Sequence, residues 1–181
     1  MLFAHDTEVS LASTVALVNT AHDPPGLRSR EELDAFVEEW QWTGSRTHDE
    51  AELRQVLALR ERLGRMWLAE EEALVEEVNA LLRDCRALPQ LVRHDQWDWH
   101  LHATLPEQPL AERMAVEAAM ALVDVIRSGE LDRLAECAAE DCDNVLVDLS
   151  RNRSRRYCDA GCTNRMASQA YRARRAGSAD C

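Results

Sequence analysis

A chain of 181 residues with 46% apolar side chains can bury one substantial core and carry a small appendage. Its 33 acidic groups against 21 basic ones give a net charge of -12, which averaged over the chain argues against a nucleic-acid partner. No run of 18 apolar residues occurs, so no spanning helix is expected, and MLFAHDTEVS has neither the basic start nor the apolar run of a secretory signal; a reducing cytoplasm is the expected compartment.

Most of the first 136 residues read as helix. Val9, Leu11, Ala12, Val15 and Val18 share one helical side in a segment that should stop before Pro24-Pro25. Ser29 with Glu32 makes a capping box ahead of Leu33, Phe36, Val37 and Trp40. Thr47 with Glu50 repeats the pattern before Leu53, Val56, Leu57, Leu63 and Trp67, a helix that Gly64 weakens without ending. Ala73, Leu74, Val78, Leu81 and Leu82 form the next stripe, followed by Cys85, which reads as a core thiol. In segment 97–104, Trp97, Trp99, Leu101 and Ala103 alternate with Asp98, His100, His102 and Thr104; period two predicts a strand, with Leu91–Val92 as its candidate neighbour. Pro109 opens a long helix through Ile126 that Ser128-Gly129 ends, and a short helix from Leu131 to Cys137 should follow.

Cys137, Cys142, Cys158 and Cys162 are four of the six cysteines and fall within 26 residues, as C-x4-C, fifteen residues, then C-x3-C. Thiolates are soft ligands, and two short loops can bring four of them to the corners of a tetrahedron around one structural zinc. Redox-active or disulfide-bonded cysteines and plain buried thiols are the alternatives; the scarcity of large apolar residues around these four favours a metal cross-link. Between the pairs, Val145–Val147 are strand formers, and Arg155–Tyr157 are the expected antiparallel return, with Ser150, Asn152 and Ser154 in the turn. After Cys162 a terminal helix is expected, capped by Thr163 or Asn164, stopped by Gly177, and packed through Met166, Ala170 and Tyr171 or Ala173. The fold class is thus mainly α: a helical N-terminal domain (1–132) with a minor β element, then a small zinc-bound β-hairpin plus helix (133–181).

The average charge hides a division. Residues 1–150 carry 31 acidic groups against 13 arginines, whereas residues 151–181 carry 8 arginines against Asp159 and Asp180. Basic side chains concentrated beside a rigid metal site suit phosphate contacts, and Arg151, Arg153, Arg155, Arg165, Arg172 and Arg175 are the candidates. The competing reading pairs these arginines with the protein's own carboxylates, such as those in 31–39 or 70–77. His100 and His102 share one strand side and could face a pocket, but a plain polar strand face is the preferred account of them. Glu70, Glu71, Glu72, Glu76 and Glu77 read as a solvated helix surface. No Gly-rich phosphate loop, HExxH or GxSxG occurs, so no enzyme is expected.

The run from Arg155-Arg156-Tyr157-Cys158 to Cys162-Thr163-Asn164-Arg165 resembles the CGNR zinc finger family, whose members carry an N-terminal, mostly helical ABATE domain ahead of the finger. Leu17-Val18-Asn19-Thr20 and Val78-Asn79-Ala80-Leu81-Leu82 are weaker echoes in the body. The resemblance implies that the four cysteines are zinc ligands, that Asp148, Ser150 and Arg156 fill the Asp-x-Ser and paired-Arg positions, and that Asn164 and Arg165 fill the last two letters of the family name. Thr163 replaces the usual glycine, Tyr157 the usual tryptophan and Ala167 the usual lysine; a glycine kept for positive φ would leave Thr163 strained. The implied function is a zinc-dependent, DNA-binding transcription regulator of stress responses that contacts double-stranded DNA through the finger. Its body would form a homodimer or sense a small-molecule effector; Trp67, Trp97 and Trp99 are candidate pocket walls, and core packing explains them equally well. A protein-interaction module with a purely structural zinc is the second reading.

Overall fold

The computed structural model describes residues 2–22, 26–93 and 99–177. Helices α1 (His5–Asn19), α2 (Arg30–Glu39), α3 (Glu50–Trp67) and α4 (Glu71–Asp84) precede a two-stranded antiparallel sheet, β1 (Gln90–Val92) with β2 (His100–His102). Helix α5 (Leu110–Arg127) leads through a 3-10 turn, Leu131–Arg133, into β3 (Leu134–Glu136), β4 (Val145–Val147) and α6 (Ala160–Gly177). The protein is mainly α, as its periodicities predict.

Helix α5 is the centre of the body. Met114, Ala115, Val116, Ala118, Ala119, Leu122 and Val125 are buried round most of its circumference, so α1, α3 and α4 can all pack on it. The small alanines let those helices approach closely. Helix α1 also buries polar groups, each with a partner: Thr7 Oγ1 donates to Asp124 on α5 at 2.7 Å, and Thr14 Oγ1 returns to the carbonyl of Ser10 at 2.7 Å. Helix α3 continues through Gly64, which faces Val18 of α1.

The capping box at Ser29 and Glu32 forms in full. The one expected at Thr47 does not: Asp49 is the N-cap of α3, its carboxylate accepting from Ala51 N at 2.9 Å and Glu52 N at 2.8 Å. Glu52 is occupied elsewhere, because its buried carboxylate receives Arg46 at 2.8 Å and the backbone of Thr47 and His48. Helix α1 ends at Asn19, before Pro24-Pro25 as expected; the prolines themselves lie outside the described residues.

β1 is the neighbour expected for β2, with Leu91 opposite Leu101. Of the predicted strand 97–104, residues 100–102 are strand, and Trp97 and Asp98 lie outside the described residues. Trp99 and Leu101 point to solvent, while His100 and His102 are half-buried toward the body.

Two further expectations are corrected after α5. The short helix from Leu131 to Cys137 is one 3-10 turn followed by β3, and β4 pairs with β3 rather than with Arg155–Tyr157. The opposite edge of β4 is already taken at Val145 by a side chain of the body. Asn19 Nδ2 donates to Val145 O at 2.9 Å and Val145 N donates to Asn19 Oδ1 at 2.8 Å, while Trp67 Nε1 adds a bond of 3.0 Å to Leu146 O, a carbonyl on the β3 side. Residues 155–157 therefore find no open ladder on β4. They are held through Ala138 N to Arg156 O at 2.8 Å and Arg155 N to the Asp148 carboxylate at 2.8 Å.

Candidate metal centre and basic face

Cys137 and Cys142 stand at the two ends of the short turn that leaves β3, and the hydrogen bond from Cys137 N to Asn144 O, 2.8 Å, closes the loop between them. Cys158 and Cys162 come from the start of α6. That helix begins at Ala160, earlier than the sequence predicts, because Asp159 serves as its cap: its carboxylate accepts from Cys162 N at 2.7 Å. Cys162 thereby sits in the first helical turn, one turn beyond Cys158.

The four Sγ atoms lie within 4.8 Å of one another, with Cys142–Cys158 and Cys158–Cys162 both at 3.6 Å. Sulfurs at the corners of a zinc tetrahedron stand about 3.8 Å apart when each bond is about 2.3 Å. A disulfide needs about 2 Å, so the spacing is that of metal ligands rather than of bonded sulfurs. The neighbours suit thiolates too: Cys158 N donates to Cys137 Sγ at 3.4 Å, and Arg165 Nη2 to Cys162 Sγ at 3.3 Å. Burial pushes the Cys158 thiol up to about 11 and raises that of Cys162. Cys137, although also desolvated, is held below the usual thiol range by the backbone N–H groups of Cys158 and Ala139. A dication supplies the charge that lets four crowded thiols ionise together. The donor set thus fits one zinc, closed to further ligands and structural in role.

Ala139, Tyr157 and Met166 are the other members of the small cluster around these sulfurs, which is separate from the main core. Of the expected apolar contacts of α6, Met166 makes one, while Ala170 and Tyr171 are exposed and Ala173 lies outside the described side chains. Thr163 is unstrained. It lies within α6, and its hydroxyl donates to Asp159 O at 2.8 Å, so the residue in the glycine position needs no positive φ.

The Asp-x-Ser turn is built around Asp148. Its carboxylate accepts from Ser150 N and Arg155 N, both at 2.8 Å, and Arg133 Nη1 donates to the carbonyls of Asp148 at 2.7 Å and Ser150 at 2.9 Å. Desolvation opposes ionisation of Asp148, but these hydrogen bonds and Arg133 win, and its carboxyl lies below the usual range. Sequence reasoning missed Arg133 and the clamp by Asn19. The available signal for Asn19 was the Leu-Val-Asn-Thr run; the charged surroundings of Arg133, Glu130-Leu131-Asp132-Arg133-Leu134, gave none.

The candidate basic residues divide. Arg153 is bound to the body through Glu130 at 2.9 Å and Asp132. Arg155 folds onto the carbonyls of Tyr157 and Cys158. Arg165 bends toward Cys162, and Arg172 lies along its own helix with Nε on Ser168 O at 3.4 Å. Arg175 stacks over Tyr171. Arg151, Arg165 and Arg172 are exposed and, among the described residues, make no ion pair with the carboxylates of 31–39 or 70–77. Arg156 and Arg174 add to the same exposed surface.

His100 and His102 face a cleft of about 1590 Å³ in the body, with their Nε2 atoms 2.9 Å apart. Its tryptophans are not those expected. Trp67 is buried in the core, Trp99 is exposed and Trp97 lies outside the described residues, whereas Trp40 and Trp42 line the cleft. No helix among the described residues is long and apolar enough to cross a membrane.

The CGNR zinc finger family model matches residues 133–175. The ABATE model, described as "Putative stress-induced transcription regulator", matches residues 11–129. No curated protein matches the sequence at a significant level.

Proposed function

The chain belongs to the ABATE family and carries a CGNR zinc finger, and from that premise we propose that it is a zinc-dependent transcription regulator that binds double-stranded DNA through the finger. The observation that carries this reading is the exposed arginine surface of residues 151–175 on a unit held rigid by a metal. Helix α6 is polar nearly all round and rests on the finger through Met166. A helix that buries so little of itself is available to a groove or a phosphate backbone. Arg151, Arg155, Arg165, Arg172 and Arg175 are the proposed contacts. The body, residues 1–132, is assigned dimerisation or signal sensing, with residues 133–181 as the reading head in a cytoplasmic protein.

Purified zinc-loaded protein titrated against duplex genomic fragments tests this. Affinity should fall steeply with salt, and Arg172→Ala should reduce the slope of log K against log salt by about 1. Absence of binding to every fragment at low salt overturns the reading.

Arg153 favours a second reading for part of this surface. Its ion pairs with Glu130 and Asp132 attach the finger's turn to the end of the body, as in an interaction module whose zinc serves only stability. In that case Arg153→Ala should loosen the finger, and no salt-dependent DNA binding should appear.

A further inference from the structure

The cleft in the body has a chemistry that the zinc finger does not use. Trp40 and Trp42 lie along it, half-buried. Asp6 of α1 and Glu117 of α5 face it from the floor, and Ser10 donates a long hydrogen bond of 3.5 Å to Glu117. Among the described residues neither carboxyl has an ion-pair partner. The wall as a whole carries five carboxyl side chains against the two arginines Arg86 and Arg113.

Arg113 does not neutralise this floor. Its Nη1 is committed to the carbonyls of Ser45, Pro106 and Gln108 at 2.6–2.9 Å, while Nε and Nη2 are sealed from solvent. Only 5% of the residue is exposed, so an anion entering the cleft finds almost none of it to hydrogen-bond. His100 and His102 share the wall, with their Nε2 atoms 2.9 Å apart and within hydrogen-bond reach of each other.

We infer that this cleft binds a small organic cation, an amine or quaternary ammonium with an apolar or aromatic body. The indole faces of Trp40 and Trp42 attract a cation through their ring quadrupoles, and Asp6 with Glu117 supplies the countercharge and the hydrogen-bond acceptors. The state of Glu117 fits an unfilled need. Burial first, and then the nearby Asp6 charge, push its carboxyl up to about 7, and an ammonium beside it would relieve both effects. The other titratable groups at this end of the cleft are His5 on α1, Glu112 on α5, and the two histidines of β2. The site stands whether or not the finger binds DNA, and its test contains no DNA.

Three matched probes separate charge from shape: 2-phenylethylamine, 2-phenylethanol and 3-phenylpropionate, titrated calorimetrically into the full zinc-loaded chain above the pKa of Glu117. The amine should bind about tenfold or more tighter than the alcohol, as a charge-assisted contact requires, with the carboxylate weakest. Its side-chain NMR shifts should centre on Trp40 and Trp42. Glu117→Gln should remove the preference for the amine while leaving the alcohol unchanged, and Asp6→Asn, on the more open side of the floor, should lower it in the same direction if the first variant does not fold. The inference is overturned if none of the probes binds, if the carboxylate binds as tightly as the amine, if the shifts fall outside the cleft, or if the folded variants keep the full preference for the amine.

Discussion

Asn19→Ala tests how the body and the metal-bearing segment are joined. The side chain of Asn19 is bound twice to the backbone of Val145, at 2.9 and 2.8 Å, across 126 residues of sequence. Alanine removes both bonds and leaves the Val145 N–H and C=O without partners in a residue that is 3% exposed. An unsatisfied buried backbone group costs about 1–3 kcal/mol; the pair, partly relieved by water entering beside the half-exposed Asn19, should cost about 2–4 kcal/mol. For a chain of this size that is a fall in melting temperature of roughly 5–15 °C. Urea unfolding followed by circular dichroism gives the midpoint shift, and zinc content measured on the same sample shows whether the metal site survives. Asn19→Asp should fall between wild type and alanine, since it keeps an acceptor for Val145 N and loses the donor. A loss below about 0.5 kcal/mol for the alanine variant, typical of an ordinary surface substitution, would refute the clamp.

Other consequences can be checked separately. Cys158→Ser should abolish stoichiometric zinc in native mass spectrometry, because it removes one corner of the tetrahedron, while Cys181→Ser should retain it; loss of zinc in the latter alone would overturn the assignment. Chelation should raise amide exchange across the loops that carry the cysteines and across α6 while leaving α5 protected, since the cluster at the sulfurs is too small to hold without metal. Glu117→Gln should flatten the stability–pH profile. The folded carboxyl is raised from 4.5 to about 7, so its stabilising proton is fully present below the unfolded pKa and lost as pH rises through the folded one. Above that, glutamine should be the more stable by roughly 3 kcal/mol at most; equal denaturation midpoints for the two proteins in alkaline buffer would contradict the burial of this group. Asp49→Ala should lower the melting temperature more than Thr47→Ala, because Asp49 holds the first N–H groups of α3; the reverse order would restore Thr47 as the cap.

The helices of the body were legible because each carries its own periodic apolar stripe and, in α2, its own reciprocal cap; such signals are local. The metal ligands were legible for a different reason. Thiolate chemistry and close spacing leave few other uses for Cys137, Cys142, Cys158 and Cys162, and the sulfur separations in the structure agree. Strand pairing was not legible. Val145–Val147 announce a strand, but whether β3 or residues 155–157 lie beside it depends on which edge Asn19 occupies, and that residue comes from α1. The start of α6 turned on a cap competition of the same kind, which Asp159 wins by accepting from Cys162 N. The cleft was the least visible feature. Glu117 is one acidic residue among 33 in the sequence. It becomes distinctive only when α1 brings Asp6 beside it and no cation follows, because burial and the neighbours of a charge are properties of the packed molecule rather than of the chain.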